Sequence, residues 1–361
     1  MERVSFSDQV RGFARALAFD AVGITRADVR LEQDVARYET FIASGMHGEM
    51  GWLADNGPVR ARLDGDGILQ GARSVVCVAR RYQRPSDGGS QDGETVARYA
   101  RGRDYHKFMR KRLRRLAAFV RSLGAPGGAH PERVEARPIL DDAPVLERAW
   151  AARAGLGFVG KNGMLIAPGI GSMVLLGEVV TTLELEPDAP MTERCGTCTR
   201  CIEACPTQAF AAPFVLDARR CVSYLTIEHR SAIAPELREG VGGHLFGCDD
   251  CQTVCPFNAA SRARAPATRT DGDPFKPLER WSRLRLEDLL TIDDAGWDAL
   301  SEGSPLRRAG RATIARNAAI VLGNRGDGAA LPALREAAGS HDDAIVRDAA
   351  IWAIARLEAR V

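Results

Sequence analysis

The chain has 361 residues, of which 45% are hydrophobic and 27% are charged, with a formal net charge of only +2. This length and composition exclude a disordered chain and predict a substantial core divided between two or three domains. The longest apolar stretches, such as residues 172–180, are much shorter than the roughly 20 residues of a membrane-spanning helix. We therefore expect no membrane span.

The first 185 residues alternate short apolar runs with amphipathic segments, which predicts an α/β domain. Strands are expected at 21–24, 74–78 and 173–180, and helices near 30–43, 104–123 and 144–154. The amino-terminal segment has the amphipathic pattern of a docked helix rather than of a signal peptide. We therefore expect the protein to stay in the cytoplasm, where thiols remain reduced.

Positive charge is concentrated between Arg98 and Arg121, where ten cations stand against the single acid Asp104. Apolar residues recur within this segment at helical spacing, so it is expected to form an amphipathic helix with a basic outer side. A solvated helix face explains such a pattern without any ligand. The strength of the asymmetry also fits a surface that binds a polyanion such as nucleic acid.

Eight of the nine cysteines lie between residues 195 and 255. The first four have the spacing C-x2-C-x2-C-x3-C-P, in which three thiolates bind one [4Fe–4S] cluster and the cysteine before the proline binds the other. The first cluster is therefore expected to take Cys195, Cys198, Cys201 and Cys255. Of the ligands expected for the second cluster, three follow from the same pattern and the fourth is the only other thiol nearby: Cys205, Cys248, Cys251 and Cys221.

Zinc ligation and disulfide bonds are the competing uses of these cysteines. Zinc sites use Cys-x-x-Cys pairs that lie well apart in sequence, and disulfides need an oxidising compartment. The ladder of three thiols and the prolines after Cys205 and Cys255 favour clusters over both. Cys77 lies in an apolar run and is expected to be a small buried hydrophobic residue without a function.

Residues 186–260 are expected to form a bacterial ferredoxin-like domain with two [4Fe–4S] clusters, where metal ligation compensates for a small apolar core. Residues 261–300 read as a connector. In the last part, 301–361, the segment Ile314–Ile320 returns 31 residues later as Ile345–Ile351. This repeat predicts stacked helices of the HEAT type.

Three segments of the first domain resemble one known family: 98–107 (RYARGRDYHK), 139–148 (ILDDAPVLER) and 154–163 (AGLGFVGKNG). Together with the eight cysteines and the helical repeat, they make most of the chain similar to the epoxyqueuosine reductases. The resemblance implies an oxidoreductase that reduces epoxyqueuosine to queuosine in the anticodon loop of tRNA.

The resemblance also implies a cobalamin between the first domain and the ferredoxin-like domain, reduced by the two clusters. Residues 1–185 would then be an α/β cobalamin-binding and catalytic domain. Side chains from both domains are implied to contact the cofactor: Arg62, Asp104, Tyr105, His106, Lys161, Asn162, Leu165, Arg230, Asp249 and Asp250.

By the same resemblance, Asp141 is the catalytic acid that gives a proton to the substrate. Expelling an epoxide oxygen as water creates negative charge, which a positioned carboxylic acid can neutralise. We expect burial under the large corrin and the adjacent Asp142 to raise the pKa of Asp141, so that it holds a proton near neutral pH. Asp142 precedes Ala143 and Pro144 and is expected to cap the amino terminus of a helix.

The implied substrate is a tRNA, and two groups of cations beside the basic segment are expected to contact its phosphates: Arg219, Arg220, His229 and Arg230 around Cys221, and Arg262, Arg264 and Arg269 in the connector. Tyr224 or Phe257 is expected to stack on a base. Electrons are expected from a reductant protein such as a flavodoxin or ferredoxin, and the protein is expected to be a monomer.

Two other functions are compatible with the clusters. One is a corrinoid-dependent reductase of a small substrate, similar to the reductive dehalogenases. The other is a non-catalytic iron–sulfur electron carrier, which predicts clusters without cobalamin. A small substrate gives no role to the basic segment and the helical repeat.

Overall fold

The structure is a computed structural model that describes residues 5–84, 96–124, 133–263 and 274–359. Its amino-terminal part is built around strands β1 to β6, which span Ala21–Arg26, Ser74–Arg81, Ala136–Ile139, Phe158–Val159, Leu165–Ile166 and Val174–Thr181. Helices α1 to α5 accompany them and span Phe6–Ala16, Glu32–Ala43, Gly57–Arg60, Tyr105–Ser122 and Glu147–Arg153.

Four of these strands form one sheet in the order β1-β2-β6-β3, and every neighbouring pair is antiparallel. The predicted strands and helices are present, but the antiparallel pairing makes this part α+β rather than a parallel α/β sheet. Apolar side chains fill both faces of the sheet, with α1 and α4 on one face and α5 on the other. Cys77 lies in β2 and is fully buried, as expected.

Helix α4 follows directly from its sequence. The Asp104 carboxylate accepts the His106 backbone N–H at 2.9 Å, which satisfies one of the free amides at the helix amino terminus. The apolar side chains of α4 recur every three or four residues and are buried against the sheet: Met109, Leu113, Leu116, Ala117 and Val120. The cations between them are left on the outer side, as the pattern predicts.

The cysteine-rich part contains short elements: helices α6 to α10 at Arg200–Glu203, Val222–Ile227, Pro235–Val241, Asp250–Thr253 and Pro256–Ala263, and strands β7 and β8 at Phe210–Ala212 and Val215–Leu216. It is joined to the carboxy-terminal helices by one apolar core. The buried Arg316 fastens the two parts, because its guanidinium donates hydrogen bonds to the carbonyls of Leu225, His229 and Ser231.

The carboxy-terminal part is helical. Helices α11 to α16 span Glu279–Ser282, Leu286–Thr291, Asp294–Ser301, Arg311–Arg325, Leu331–Ser340 and Ala344–Glu358. The two copies of the repeated segment lie in α14 and α16, which pack against each other. The segment expected to be a connector contains α11, α12 and most of α13 in its described part. Among the described helices, none has the length and apolar character needed to cross a bilayer.

Candidate active site beside the cysteine region

Asp141 lies just beyond the end of β3, and two side chains from α4 hold its carboxylate. The Tyr105 hydroxyl donates to Oδ2 at 2.5 Å, and His106 Nε2 lies 3.1 Å from Oδ1. The other ring nitrogen of His106 lies 2.6 Å from the Asp104 carboxylate, and the His106 ring stacks on Tyr105. Four residues that were predicted to contact cofactor or substrate therefore form one hydrogen-bonded group: Asp104, Tyr105, His106 and Asp141.

The backbone at Asp141 is in an unusual conformation. Its φ is +33°, and the Asp142 N–H donates to the Leu140 carbonyl, which closes a three-residue turn around Asp141. A residue with a side chain in such a region costs about 1–3 kcal/mol, so the surrounding contacts must hold it there. The turn presents the Asp141 carboxylate toward Tyr105 and His106.

Asp142 does not cap a helix, and that prediction was wrong. Helix α5 begins only at Glu147, and the residue before it, Leu146, makes no side-chain cap. The Asp142 carboxylate instead accepts a hydrogen bond from Arg110 at 2.9 Å and another from the backbone N–H of Leu140. The acid therefore braces the turn rather than the helix.

The protein neighbours of Asp141 lower its pKa, and the rise expected from burial under a corrin stays a prediction. Burial favours the neutral acid, but the hydrogen bonds from His106 and Tyr105 outweigh it and lower the pKa of Asp141. The hydrogen bonds to Asp104 and Asp141 raise the pKa of His106 to about 9. At neutral pH the proton is consequently on the His106 imidazole, and Asp141 is an ionised carboxylate beside it.

Two further acids lie behind Asp141, and the sequence analysis gave neither a role. Glu147, the first residue of α5, accepts the Asp141 backbone N–H at 2.9 Å, and burial raises the pKa of Glu147 to about 7. Glu178 lies in β6 opposite Ile139 and is fully buried, so its pKa is raised well above the ordinary value. In the sequence, Glu178 is the single acid within the apolar run Met173–Val180, and this is the pattern that could have identified it.

The basic side of α4 adjoins the Asp141 turn. Lys107, Arg110, Lys111 and Arg114 line an open cavity of about 380 Å³. A second cavity of about 110 Å³ is lined by Arg110, Arg114, Leu140 and Asp142, among others. The concentrated charge of the sequence thus lies next to the candidate acid.

Cysteines that are far apart in sequence lie near one another in the fold, and their division into the two expected ligand sets stays a prediction. Cys195 and Cys255, far apart in sequence, pack in one apolar group with Phe158 and Ile166. In the second set, burial raises the pKa of Cys248 and Cys251, and the charge at Cys221 raises both further. Buried thiols that resist ionisation in this way need bound metal to compensate for the negative charge.

The acids next to the second set of cysteines have partners within the protein. Asp249 is buried and accepts the backbone N–H of Arg98 at 2.8 Å, which ties it to the first domain. Asp250 lies 3.1 Å from His244 Nε2, and that nitrogen lies 3.8 Å from the sulfur of Cys248. Of the two, only the Asp250 side chain is partly open to a ligand.

Lys161 and Asn162 contact the cysteine region rather than a phosphate-binding turn. Lys161 Nζ donates to the carbonyls of Gly196 and Cys198, and Asn162 donates to the carbonyl of Cys251. This segment therefore joins the first domain to both sets of cysteines.

The other three predicted cofactor contacts have their partners outside the Asp141 group. Leu165 is buried in the core beneath α5. Arg62 pairs with Asp64 on an exposed loop. The Arg230 guanidinium donates to the carbonyls of Ile227, Arg308 and Ala309 and thereby links α7 to the carboxy-terminal part.

The two aromatic residues expected to stack on a base already have partners within the protein. Tyr224 is buried and its hydroxyl oxygen accepts the Glu49 N–H, while Phe257 packs edge-on against Phe158. Among the described residues, the exposed large aromatic side chain is Trp52, with Arg308 over its ring. Of the expected phosphate-binding cations, Arg219 pairs with Asp217, and the side chains of Arg262, Arg264 and Arg269 lie outside the described residues.

Two family models match the chain. One is described as "Epoxyqueuosine reductase QueG, DUF1730" and covers residues 62–141, which ends at the candidate acid. The other is described as a 4Fe-4S double cluster binding domain and covers residues 194–258, which contain all eight clustered cysteines.

Curated relatives and solved structures match nearly the whole chain. The epoxyqueuosine reductase of Xanthomonas campestris pv. campestris is 42% identical over 354 residues, covering 96% of this chain and 95% of that protein. The Escherichia coli K12 enzyme is 36% identical over 356 residues, covering 97% of this chain and 89% of that protein.

Among solved structures, an epoxyqueuosine reductase crystallised with an epoxyqueuosine-modified tRNA-Tyr stem loop matches with a TM-score of 0.84 and 29% identity, covering 97% of this chain and 89% of that one. The Bacillus subtilis enzyme, solved with its catalytic aspartate loop swung out of the active site, also has a TM-score of 0.84, with 30% identity, covering 97% of this chain and 90% of that one. The chain belongs to the epoxyqueuosine reductase family of oxidoreductases.

Proposed function

We propose that this protein reduces epoxyqueuosine to queuosine in the anticodon loop of tRNA. The observation that carries the proposal is the Asp141–His106–Tyr105 group. It lies beside the cations of α4, and Tyr105 packs against Tyr99, whose ring in turn packs against Phe246 of the cysteine-rich part. An acid–base pair, a polyanion-binding surface and ligands for two clusters are the three parts that this reaction needs on one molecule.

The reaction has a fixed balance. Both C–O bonds of the epoxide break, a C=C bond forms, and the oxygen leaves as water, which consumes two electrons and two protons. The electrons enter through the clusters from a reductant protein, for which a flavodoxin or ferredoxin is the proposed class. Asp141 and His106 together supply a proton to the departing oxygen.

The family's cofactors are two [4Fe–4S] clusters and cobalamin. Cobalamin, when bound, supplies the low-valent metal centre that accepts the electrons and reduces the substrate. The residues present fit such a ring because the side chains of Asp141, His106 and Asp250 are about one-third exposed, and a corrin rim is fringed with amides that need polar partners. We propose these residues, with Asp104 and Tyr105, as the polar contacts.

We assign the first cluster to Cys195, Cys198, Cys201 and Cys255, and the second to Cys205, Cys221, Cys248 and Cys251. Lys161, Asn162 and Asp249 act mainly as links that hold the cluster loops against the first domain. Arg230 acts in the same way toward the carboxy-terminal helices. Arg62 and Leu165 are proposed to make the weakest contacts with the cofactor, because Arg62 pairs with Asp64 and Leu165 is buried in the core.

At neutral pH the site holds a proton on His106, hydrogen-bonded to the Asp141 carboxylate. We propose that covering the site with cofactor and substrate removes water from this pair and moves the proton to Asp141, because burial favours the neutral acid. The carboxylic acid then faces the epoxide oxygen. The loop of Asp141 is proposed to move as the catalytic loop of the Bacillus subtilis relative does.

We propose that Lys107, Arg110, Lys111 and Arg114 bind tRNA phosphates next to the reacting nucleotide. Helices α14 to α16, with the repeat in α14 and α16, are proposed to be a HEAT-like unit that extends this surface. The boundaries that we propose are 1–185, 186–260, 261–300 and 301–361. A monomer working in the reducing cytoplasm, where thiols stay available to iron, completes the proposal.

The experiment combines the protein, purified without oxygen, with a chemical reductant, cobalamin and tRNA that carries epoxyqueuosine. The tRNA is then digested and its nucleosides are weighed by mass spectrometry. Conversion of the epoxide to queuosine supports the proposal, and a persisting epoxide with both clusters and the cofactor in place contradicts it.

Two cysteine variants make the test specific. Cys221→Ala is expected to lose the second cluster, about half of the eight irons of a double-cluster domain, and to stop turnover. Cys77→Ala removes a buried thiol outside both sets and is expected to keep the iron and the activity. Equal iron content in the two variants would contradict the ligand assignment.

A further inference from the structure

The turn that carries Asp141 is held through its backbone as well as through the Asp141 side chain. Its central residue has a φ of +33°, a backbone conformation that residues with side chains rarely adopt. Tyr105 and His106 hold the side chain of Asp141 but make no bond to its backbone. A further contact is therefore needed to keep the turn in place.

Glu147 makes that contact. Its Oε1 accepts the backbone N–H of Asp141 at 2.9 Å, from the first turn of α5. Helix α5 packs on the central sheet through the buried Trp150 and Ala151, so its position is fixed by the core. The hydrogen bond connects a strained, partly exposed turn to a rigid element.

Glu178 lies beneath this contact. It is fully buried in β6, and neither of its carboxyl oxygens has a hydrogen-bond partner within the described part of the chain. Such a group is stable in the fold only as the neutral acid. Glu178 therefore stays neutral. Of the two acids, Glu147 is the one that can ionise and accept the Asp141 N–H as a carboxylate.

We propose that Glu147 is the positioning residue for the catalytic turn, whose carboxyl oxygen accepts the Asp141 N–H and keeps Asp141 in the orientation that delivers a proton. This inference rests on the proposed function of Asp141 and adds a residue that controls it. Glu147 touches neither substrate nor cofactor in this role.

Several titratable or charged groups lie around Glu147 and influence its pKa. They are Asp141 and Asp142 from the turn, Arg148 from α5, Cys77 and Glu178 from the sheet, and Tyr105 from α4. Burial raises the pKa of Glu147 to about 7, and the charge of Asp141 raises it while the Asp141 N–H lowers it. The hydrogen bond from the Asp141 N–H is therefore expected to weaken on going from slightly alkaline to slightly acid pH, because the neutral acid accepts less strongly than the carboxylate.

The test compares Glu147→Ala, Glu147→Gln and the wild type as the complete, cofactor-loaded protein. Gln keeps an oxygen that accepts the Asp141 N–H but cannot ionise, whereas Ala has no acceptor. Glu336→Ala, on the exposed surface of α15, is the matched control for the loss of a glutamate. Hydrogen exchange of the peptide covering residues 139–146 reports the turn, and turnover per loaded enzyme reports its consequence.

Glu147→Ala is expected to lose protection at the Asp141 amide and to reduce kcat roughly 10- to 100-fold with KM unchanged, because a misplaced catalytic group costs rate rather than binding. Glu147→Gln is expected to restore both and to remove the pH dependence of protection near 7. Protection and kcat within twofold of the wild type in Glu147→Ala would overturn the inference. So would a pH dependence near 7 that persists in Glu147→Gln, the variant to rely on if Glu147→Ala does not fold.

Failure of this inference can be told apart from failure of the proposed function. If the wild type leaves the epoxide intact, the proposed function fails, yet the exchange measurement still tests the link between Glu147 and the turn. If the wild type turns over and Asp141→Asn does not, while Glu147→Ala is unaffected in both measurements, only the positioning role is lost.

Discussion

Asp141 and Glu147 are acids six residues apart that share a hydrogen bond, yet their surroundings shift their pKa values in opposite directions. Both are desolvated. The carboxylate of Asp141 also accepts bonds from Tyr105 and His106, whereas Glu147 has one backbone N–H and the neutral Glu178 behind it. The comparison teaches that hydrogen-bond donors, not burial alone, decide which acid is charged at neutral pH.

Replacing His106 should have the largest effect on the difference in pKa between Asp141 and Glu147. In His106→Gln, Asp141 loses its charged partner, so its pKa should rise toward that of Glu147 and the site should lose its stored proton. A hydrogen bond to a charged group is worth about 1.5–3 kcal/mol, which corresponds to a roughly 10- to 150-fold lower turnover. Single-turnover nucleoside analysis measures it, with iron and cobalamin content as the control for folding. A loss of less than threefold would show that His106 does not hold the proton.

The pH dependence of the wild type should identify the same pair. The pKa of His106 is raised to about 9, so the imidazolium and its contribution to the fold are fully present below the ordinary value of 6.5 and are lost as pH rises through about 9. Turnover should therefore fall about tenfold per pH unit above 9. The same profile in His106→Gln should lack this limb. A limb centred near 6.5 would contradict the assignment.

Tyr105→Phe should have a smaller effect, because it removes a neutral donor from Asp141 and keeps the imidazole. About 1.5 kcal/mol, or roughly tenfold in turnover, is expected. Tyr38→Phe is the matched control, since the Tyr38 hydroxyl donates to the carbonyl of Leu53 outside the Asp141 group. Equal turnover in the two variants would remove Tyr105 from the site.

Glu178→Leu should change stability rather than turnover. The unpartnered carboxyl of Glu178 opposes folding, and because its pKa is raised in the fold, the wild type should lose stability as pH rises above the ordinary value of 4.5. Leucine should raise the free energy of unfolding at pH 7 by about 1–3 kcal/mol and flatten this dependence. Thermal unfolding measures it, with Glu184→Leu on the exposed surface as the control. Destabilisation by Glu178→Leu would mean that the carboxyl has a partner it needs.

The sequence was sufficient where the information is local. Iron–sulfur ligation depends on short cysteine spacings, so a domain with two clusters could be predicted, and the period of α4 predicted its basic side. The Asp142 cap failed because Pro144 precedes α5 by a full turn, and the three-residue turn at Asp141 has no residue pattern of its own. Lys161, Arg230 and Tyr224 were assigned to ligands, although their partners are carbonyls and amides from distant segments that no local pattern reveals. Glu178 was visible as a lone acid in an apolar strand, but only the fold placed it beneath Glu147.

The central claim is that Asp141 gives the proton to the epoxide oxygen. It is tested most directly by single turnover of Asp141→Asn against the wild type, with both clusters and cobalamin fully loaded and tRNA binding shown to be equal. The account predicts a loss of roughly 100-fold or more in the rate of queuosine formation, since the amide keeps the shape of the side chain but cannot supply the proton. Queuosine formation within twofold of the wild-type rate would contradict it.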